Sequence, residues 1–157
     1  MPSDLHELRR GQLDSMLILA GLTIPLNLRW ELQPDVARLD PVRPRLGVGD
    51  AKSSESPGNQ STQRRLVHYA RACRNWRVAG WDVSLSLAVE PSESRPWAET
   101  LTRVWRVGGM GNGHVRTFVV DASLAILTIE IGAQAPLNLA NRRFSGSATT
   151  RPTHPER

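Results

Sequence analysis

The chain has 157 residues, 39% of them hydrophobic and 22% charged, which is enough for one domain with its own core and too mixed for a collagen-like, coiled-coil or low-complexity chain. No apolar stretch reaches 18 residues, so no membrane-spanning helix is expected, and the single cysteine, Cys73, cannot form an internal disulfide, which suits a reducing, cytoplasmic setting. Twenty basic residues against 15 acidic ones give +5. Residues 136–157 hold Arg142, Arg143, Arg151 and Arg157 against Glu156, so +3 of that total lies in a low-hydrophobicity tail expected to be disordered and the body carries +2.

In chain order, Ser3 can cap a first helix whose Leu5, Leu8, Leu13, Met16, Leu17 and Ala20 share one face. Gly21 suits its C-terminal stop. Leu26, Leu28, Trp30 and Leu32 then alternate with Asn27, Arg29, Glu31 and Gln33, predicting a half-buried strand. Asp35 to Asp40 predicts a second strand and Arg45 to Lys52 a third, joined by a turn between Pro41 and Pro44, together an antiparallel meander. Ser53 to Gln60 reads as a polar loop. A helix capped by Ser61 or Thr62 follows, with Leu66, Tyr69, Ala70, Cys73 and Trp76 on its core stripe and a stop near Gly80. Trp81 to Val89 alternates as a fourth strand. Pro96 opens a third helix through Trp97, Leu101, Val104 and Trp105. After a glycine-rich loop over 108–113, Val115 to Val120 and Leu124 to Ile131 form a hairpin turning at residues 121–123. Interleaved helices and strands predict an α/β or α+β sandwich, one domain over residues 1–135.

Nineteen basic residues are arginine and one, Lys52, is lysine. A composition so averse to lysine points to a need for an amine at position 52. Lys52 stands two residues after Asp50, so in a strand both project from one face. Asp35, at the start of the neighbouring strand, falls beside Asp50. Two carboxylates can hold Mg2+, and Mn2+ as its substitute, because hard dications take oxygen ligands. An amine can exchange a proton where a guanidinium cannot.

Pro34-Asp35 and Asp50-Ala51-Lys52, in consecutive strands of a helix–meander–helix–strand order, resemble the PD-(D/E)xK, or restriction-endonuclease-like, nuclease superfamily over residues 3–89. The resemblance implies that Asp35, Asp50 and the Ala51 carbonyl are metal ligands, that Lys52 is catalytic, and that Gln63, in the first turn of the following helix, positions water. It implies a Mg2+-dependent endonuclease cutting DNA, with homodimerisation or a recruiting partner. One branch of the superfamily places Gln and Tyr four apart on that helix. Here Gln63 and Tyr69 are six apart, and iron–sulfur branches need four cysteines. An acid from the first helix serves in many members. Glu7 and Asp14 share a face, but one opposite the apolar stripe.

Between Ser61 and Val78 the chain has no acid, while Arg64, Arg65, Arg71, Arg74 and Arg77 all fall there. Arg64, Arg65, Arg71 and Arg74 are candidate phosphate contacts, with a solvated face in an arginine-rich chain as the alternative. The five tryptophans fit core stripes better than base-stacking platforms, His68 and His114 belong to no metal-ligand cluster, and the glycine run lacks a P-loop ending. The alternative to an enzyme is a non-catalytic nucleic-acid-binding or assembly subunit that keeps the nuclease fold.

Overall fold

A computed structural model describes residues 4–52 and 55–133; Ser3 and the expected tail over 136–157 lie outside that range. Among the described residues the order is α1 (Asp4–Leu19), β1 (Ile24–Pro25), β2 (Val36–Leu39), β3 (Arg45–Ala51), α2 (Gln60–Val78), β4 (Asp82–Val89), a short 3-10 turn, α3 (Ser94–Val107), β5 (Val115–Asp121) and β6 (Leu124–Ile131). The fold is α+β, with one open six-stranded mixed sheet in the order β1-β2-β3-β4-β6-β5. Only β3 and β4 pair in parallel, with Asp50 opposite Leu87, and α2 makes the crossover between them.

The sheet has two unlike faces. Leu46, Val48, Val83, Leu85 and Leu87 pack with Leu66, Tyr69, Trp76, Leu101 and Trp105 of α2 and α3. The opposite face carries Val36, Ala51, Ala88 and Ile126, packed with Leu13 and Leu17 of α1. The glycines of β3 make room for α1. A Cβ at Gly49 would meet Leu13 Cδ2 at 2.8 Å and the Ser86 carbonyl at 3.0 Å. The helix therefore lies almost on the strand backbone.

The observed elements depart from the expected ones in several places. The stretch 26–32 keeps the predicted alternation, with Leu28 and Trp30 buried and Arg29 and Glu31 exposed, but only Ile24–Pro25 form a ladder, with Leu39 and Arg38. One further bond runs from the Leu26 amide to the Ala37 carbonyl, and then the chain peels away to cover the core with its side chains alone. On α1 the buried face is Arg9, Leu13 and Leu17, while Leu5 and Leu8 are exposed, because it is Leu13 and Leu17 that meet Val36, Ala51, Ala88 and Ile126 of the sheet. Asn59, not Ser61 or Thr62, caps α2, its side chain accepting from the Thr62 amide at 3.0 Å. The third helix also starts two residues before Pro96, at Ser94. All five tryptophans are buried, as their spacing predicts.

Candidate functional site

The β2–β3 hairpin extends one pair beyond its last ladder partners, Val36 and Gly49, and so brings Asp35 level with Asp50. The Asp35 amide donates to Asp50 Oδ1 at 2.8 Å, and Asp35 Oδ2 accepts from the Ala51 amide at 2.8 Å. Lys52 follows at the end of β3, its own amide bonded to the Ala88 carbonyl, and its Nζ lies 3.1 Å from Asp50 Oδ2. Alternation puts Asp50 and Lys52 on the same face as Leu46 and Val48. Both are almost fully buried, at 2% and 5% exposure, whereas Asp35 opens partly to solvent.

The surroundings of this cluster hold residues that spacing alone does not reveal. Tyr69 of α2 places its hydroxyl 2.8 Å from the Gln33 carbonyl and 3.4 Å from Asp50 Oδ1. Arg65, one turn earlier, donates to the Tyr69 oxygen and to the same carbonyl. His6 Nε2 stands 3.6 Å from Asp35 Oδ1, and Glu55 3.7 Å from Lys52 Nζ. Arg9, only 2% exposed, donates to the Lys52 carbonyl at 2.5 Å and faces Glu90 at 3.6 Å. A buried arginine on an apolar stripe was the one available signal for that contact, and the leucines around it masked it.

Burial pushes the Asp50 carboxyl up, and the charge of Asp35 adds to the push. The Lys52 ammonium and the Asp35 amide oppose it. Tyr69 is likewise raised, by burial first and by the Asp50 charge second, so its hydroxyl stays protonated and can donate.

Gln63 is not part of this cluster. Six residues from Tyr69 on a helix is a rotation of about 240° at 3.6 residues per turn, and its side-chain amide donates to the Pro57 carbonyl at 2.8 Å. Of the basic residues of α2, Arg65 reaches the cluster, Arg64 and Arg71 face the opposite side toward α3, and Arg74 lies against Gly109. Ala51 meets Asp35 through its amide rather than its carbonyl. Glu7 pairs with Arg10, and Asp14 holds Arg38 through two bonds of 2.6 and 3.0 Å, so neither first-helix acid joins Asp50.

No group of three or more His, Cys, Asp or Glu able to hold a metal ion occurs among the described residues. Two carboxylates beside a backbone strand end still suit Mg2+, which keeps several waters and takes only one or two protein carboxylates together with substrate phosphate oxygens. A buried carboxyl crowded by a second carboxylate is an electrostatic setting that a dication would relieve. No helix among the described residues is long and apolar enough to cross a membrane. Compared with known proteins, the chain matches no family model, no curated protein and no solved structure.

Proposed function

We propose that the chain is a Mg2+-dependent endonuclease that hydrolyses DNA phosphodiester bonds, built on a restriction-endonuclease-like core. The supporting observation is the meeting of Asp35, Asp50 and Lys52 at one strand end, with the amine 3.1 Å from the buried carboxylate. Asp35 and Asp50 would hold Mg2+ or Mn2+, with the Ala51 carbonyl as the backbone ligand the resemblance implies. Such an ion, when bound, lowers the pKa of a water and neutralises charge on a phosphate. The chain's own residues supply the rest. Lys52 holds a proton at Nζ, where it can be passed to or taken from the attacking water, and its charge faces the phosphate. The Tyr69 hydroxyl, its one proton shared between the Gln33 carbonyl at 2.8 Å and Asp50 Oδ1 at 3.4 Å, flanks Asp50 from the α2 side. Arg9 anchors the Lys52 backbone from the α1 side, so the strand end that carries the buried amine is held on both flanks.

The test is plasmid nicking in Mg2+ or Mn2+ by the wild type, Asp50→Asn and Lys52→Met, with calorimetric Mn2+ titration of each. Cleavage is expected to fall at least about 100-fold in both variants, the range for a lost general acid or base. Mn2+ binding should be lost in Asp50→Asn only. Cleavage undiminished in Lys52→Met would overturn the reading. Wild-type DNA binding without cleavage in either metal would instead favour the non-catalytic subunit.

A further inference from the structure

Helix α2 has two working sides. Arg65 and Tyr69 turn to the carboxylates, whereas Arg64, His68 and Arg71, at i, i+4 and i+7, turn to a groove shared with α3. That groove encloses about 560 Å3. Arg64 and Arg71 line it from α2 and Arg103 from α3, Gln63 stands at one end, and Val67 and Val104 lie along it. No Asp or Glu lines it. Three guanidiniums gathered around one trough repel one another, and nothing in the trough offsets them. All three are exposed, while the aliphatic Val104 below them is buried.

We propose that the α2–α3 groove is a binding track for the phosphodiester backbone of a single nucleic-acid strand, held by Arg64, Arg71 and Arg103. Guanidiniums offer planar, fork-like donors matched to phosphate oxygens. The spacing suits a strand rather than one phosphate, because contacts come from two helices along a trough instead of converging on a point. The five tryptophans are buried, so no indole platform is available for base stacking, and His68 is the one aromatic ring in the groove. Recognition is therefore of the backbone, without sequence preference. Gln63 takes a place here as a neutral donor at the groove's end, and its amide is kept there by the Pro57 carbonyl. Between the track and the carboxylate cluster stands the His68 ring, which accepts from the Leu32 amide at 3.3 Å and lies edge-on to Tyr69 at 6.2 Å. The inference shares with the nuclease reading only the polyanionic partner. It deepens that reading by assigning where the strand lies.

The test is fluorescence anisotropy of a labelled single-stranded oligodeoxynucleotide in EDTA, so that binding is read without cleavage. Arg71→Ala/Arg103→Ala is compared with Arg43→Ala/Arg95→Ala, which removes the same charge from exposed positions outside the groove. The groove variant should bind about 10-fold more weakly, with the slope of log K against log salt flattened by roughly 1.4, at about 0.7 for each phosphate no longer neutralised. The control variant should keep the wild-type slope, and near-UV circular dichroism should match wild type in both. Equal weakening in the two variants, or none in the groove variant, overturns the inference. Either result leaves the nicking assay unaffected, and a chain that never cleaves can still pass this test.

Discussion

Two aspartates at opposite ends of the β2–β3 hairpin each sit beside a cation, and they behave in opposite ways. Asp40, at the turn, accepts from the Val42 and Arg43 amides at 2.7 and 3.0 Å and from Arg45 Nε at 2.8 Å. Those amides, with Arg45, bring its carboxyl down to about 2. Asp50, at the other end, has a cation at 3.1 Å and one amide, yet burial and a neighbouring carboxylate raise it. The difference lies in burial at one end and in two backbone amides at the other, rather than in the cation. A carboxylate ringed by amides is a structural staple. One that is buried and crowded by like charge is disfavoured in its charged form, which a further positive partner would relieve.

The comparison is broken most severely by removing one member of the buried pair. Lys52→Met leaves Asp50 without its cation at 2% exposure and should cost about 3–5 kcal/mol in urea unfolding, while Asp50→Asn/Lys52→Met should recover much of that loss. Additive single losses would mean that the two side chains are not coupled. Arg9→Met, which removes a charged donor from the Lys52 carbonyl, is expected to cost about 1.5–3 kcal/mol and to speed amide exchange at the end of β3.

The pH dependence sharpens the contrast. Asp40 is depressed, so its stabilisation is present above 3.8 and is lost as pH falls from there toward about 2. Asp50 is raised, so the folded state holds its proton more tightly, and stability declines as pH climbs from 3.8 through the elevated value. Urea midpoints measured across that range should lose their acid-side drop in Asp40→Asn and their higher-pH decline in Asp50→Asn. The smallest effect belongs to the Asp14–Arg38 pair on the more open side of the sheet. There Arg38→Met should cost under about 1 kcal/mol, and less in high salt.

Much of this architecture can be read from residue order. Period-two runs and core stripes mark β2, β3, β4, β5, β6, α2 and α3, and the i, i+2 spacing of Asp50 and Lys52 puts them on one face. What escapes is what depends on partners. Residues 26–32 have the side-chain rhythm of a strand but find no neighbouring backbone beyond Leu26, since rhythm reports burial and not pairing. Arg9 and Tyr69 come to the cluster from opposite faces of the sheet, 43 and 19 residues away from their respective contacts, Lys52 and Asp50. Helical spacing puts Tyr69 on the inward stripe of α2 and Gln63 off it, but does not say which polar group the Tyr69 hydroxyl meets. The packing of α2 on the sheet decides that.

The bare backbone at Gly49 has a reach beyond its own side of the sheet. The Leu13 side chain of α1 seats against it, and the same helix carries His6 to Asp35 and Arg9 to the Lys52 carbonyl. A single methyl at position 49 would press on both the Leu13 side chain and the Ser86 carbonyl, so Gly49→Ala would be relieved by a shift of α1 or of the strand pair. The displacement would arrive at the acids and the amine without any of those three residues having been altered.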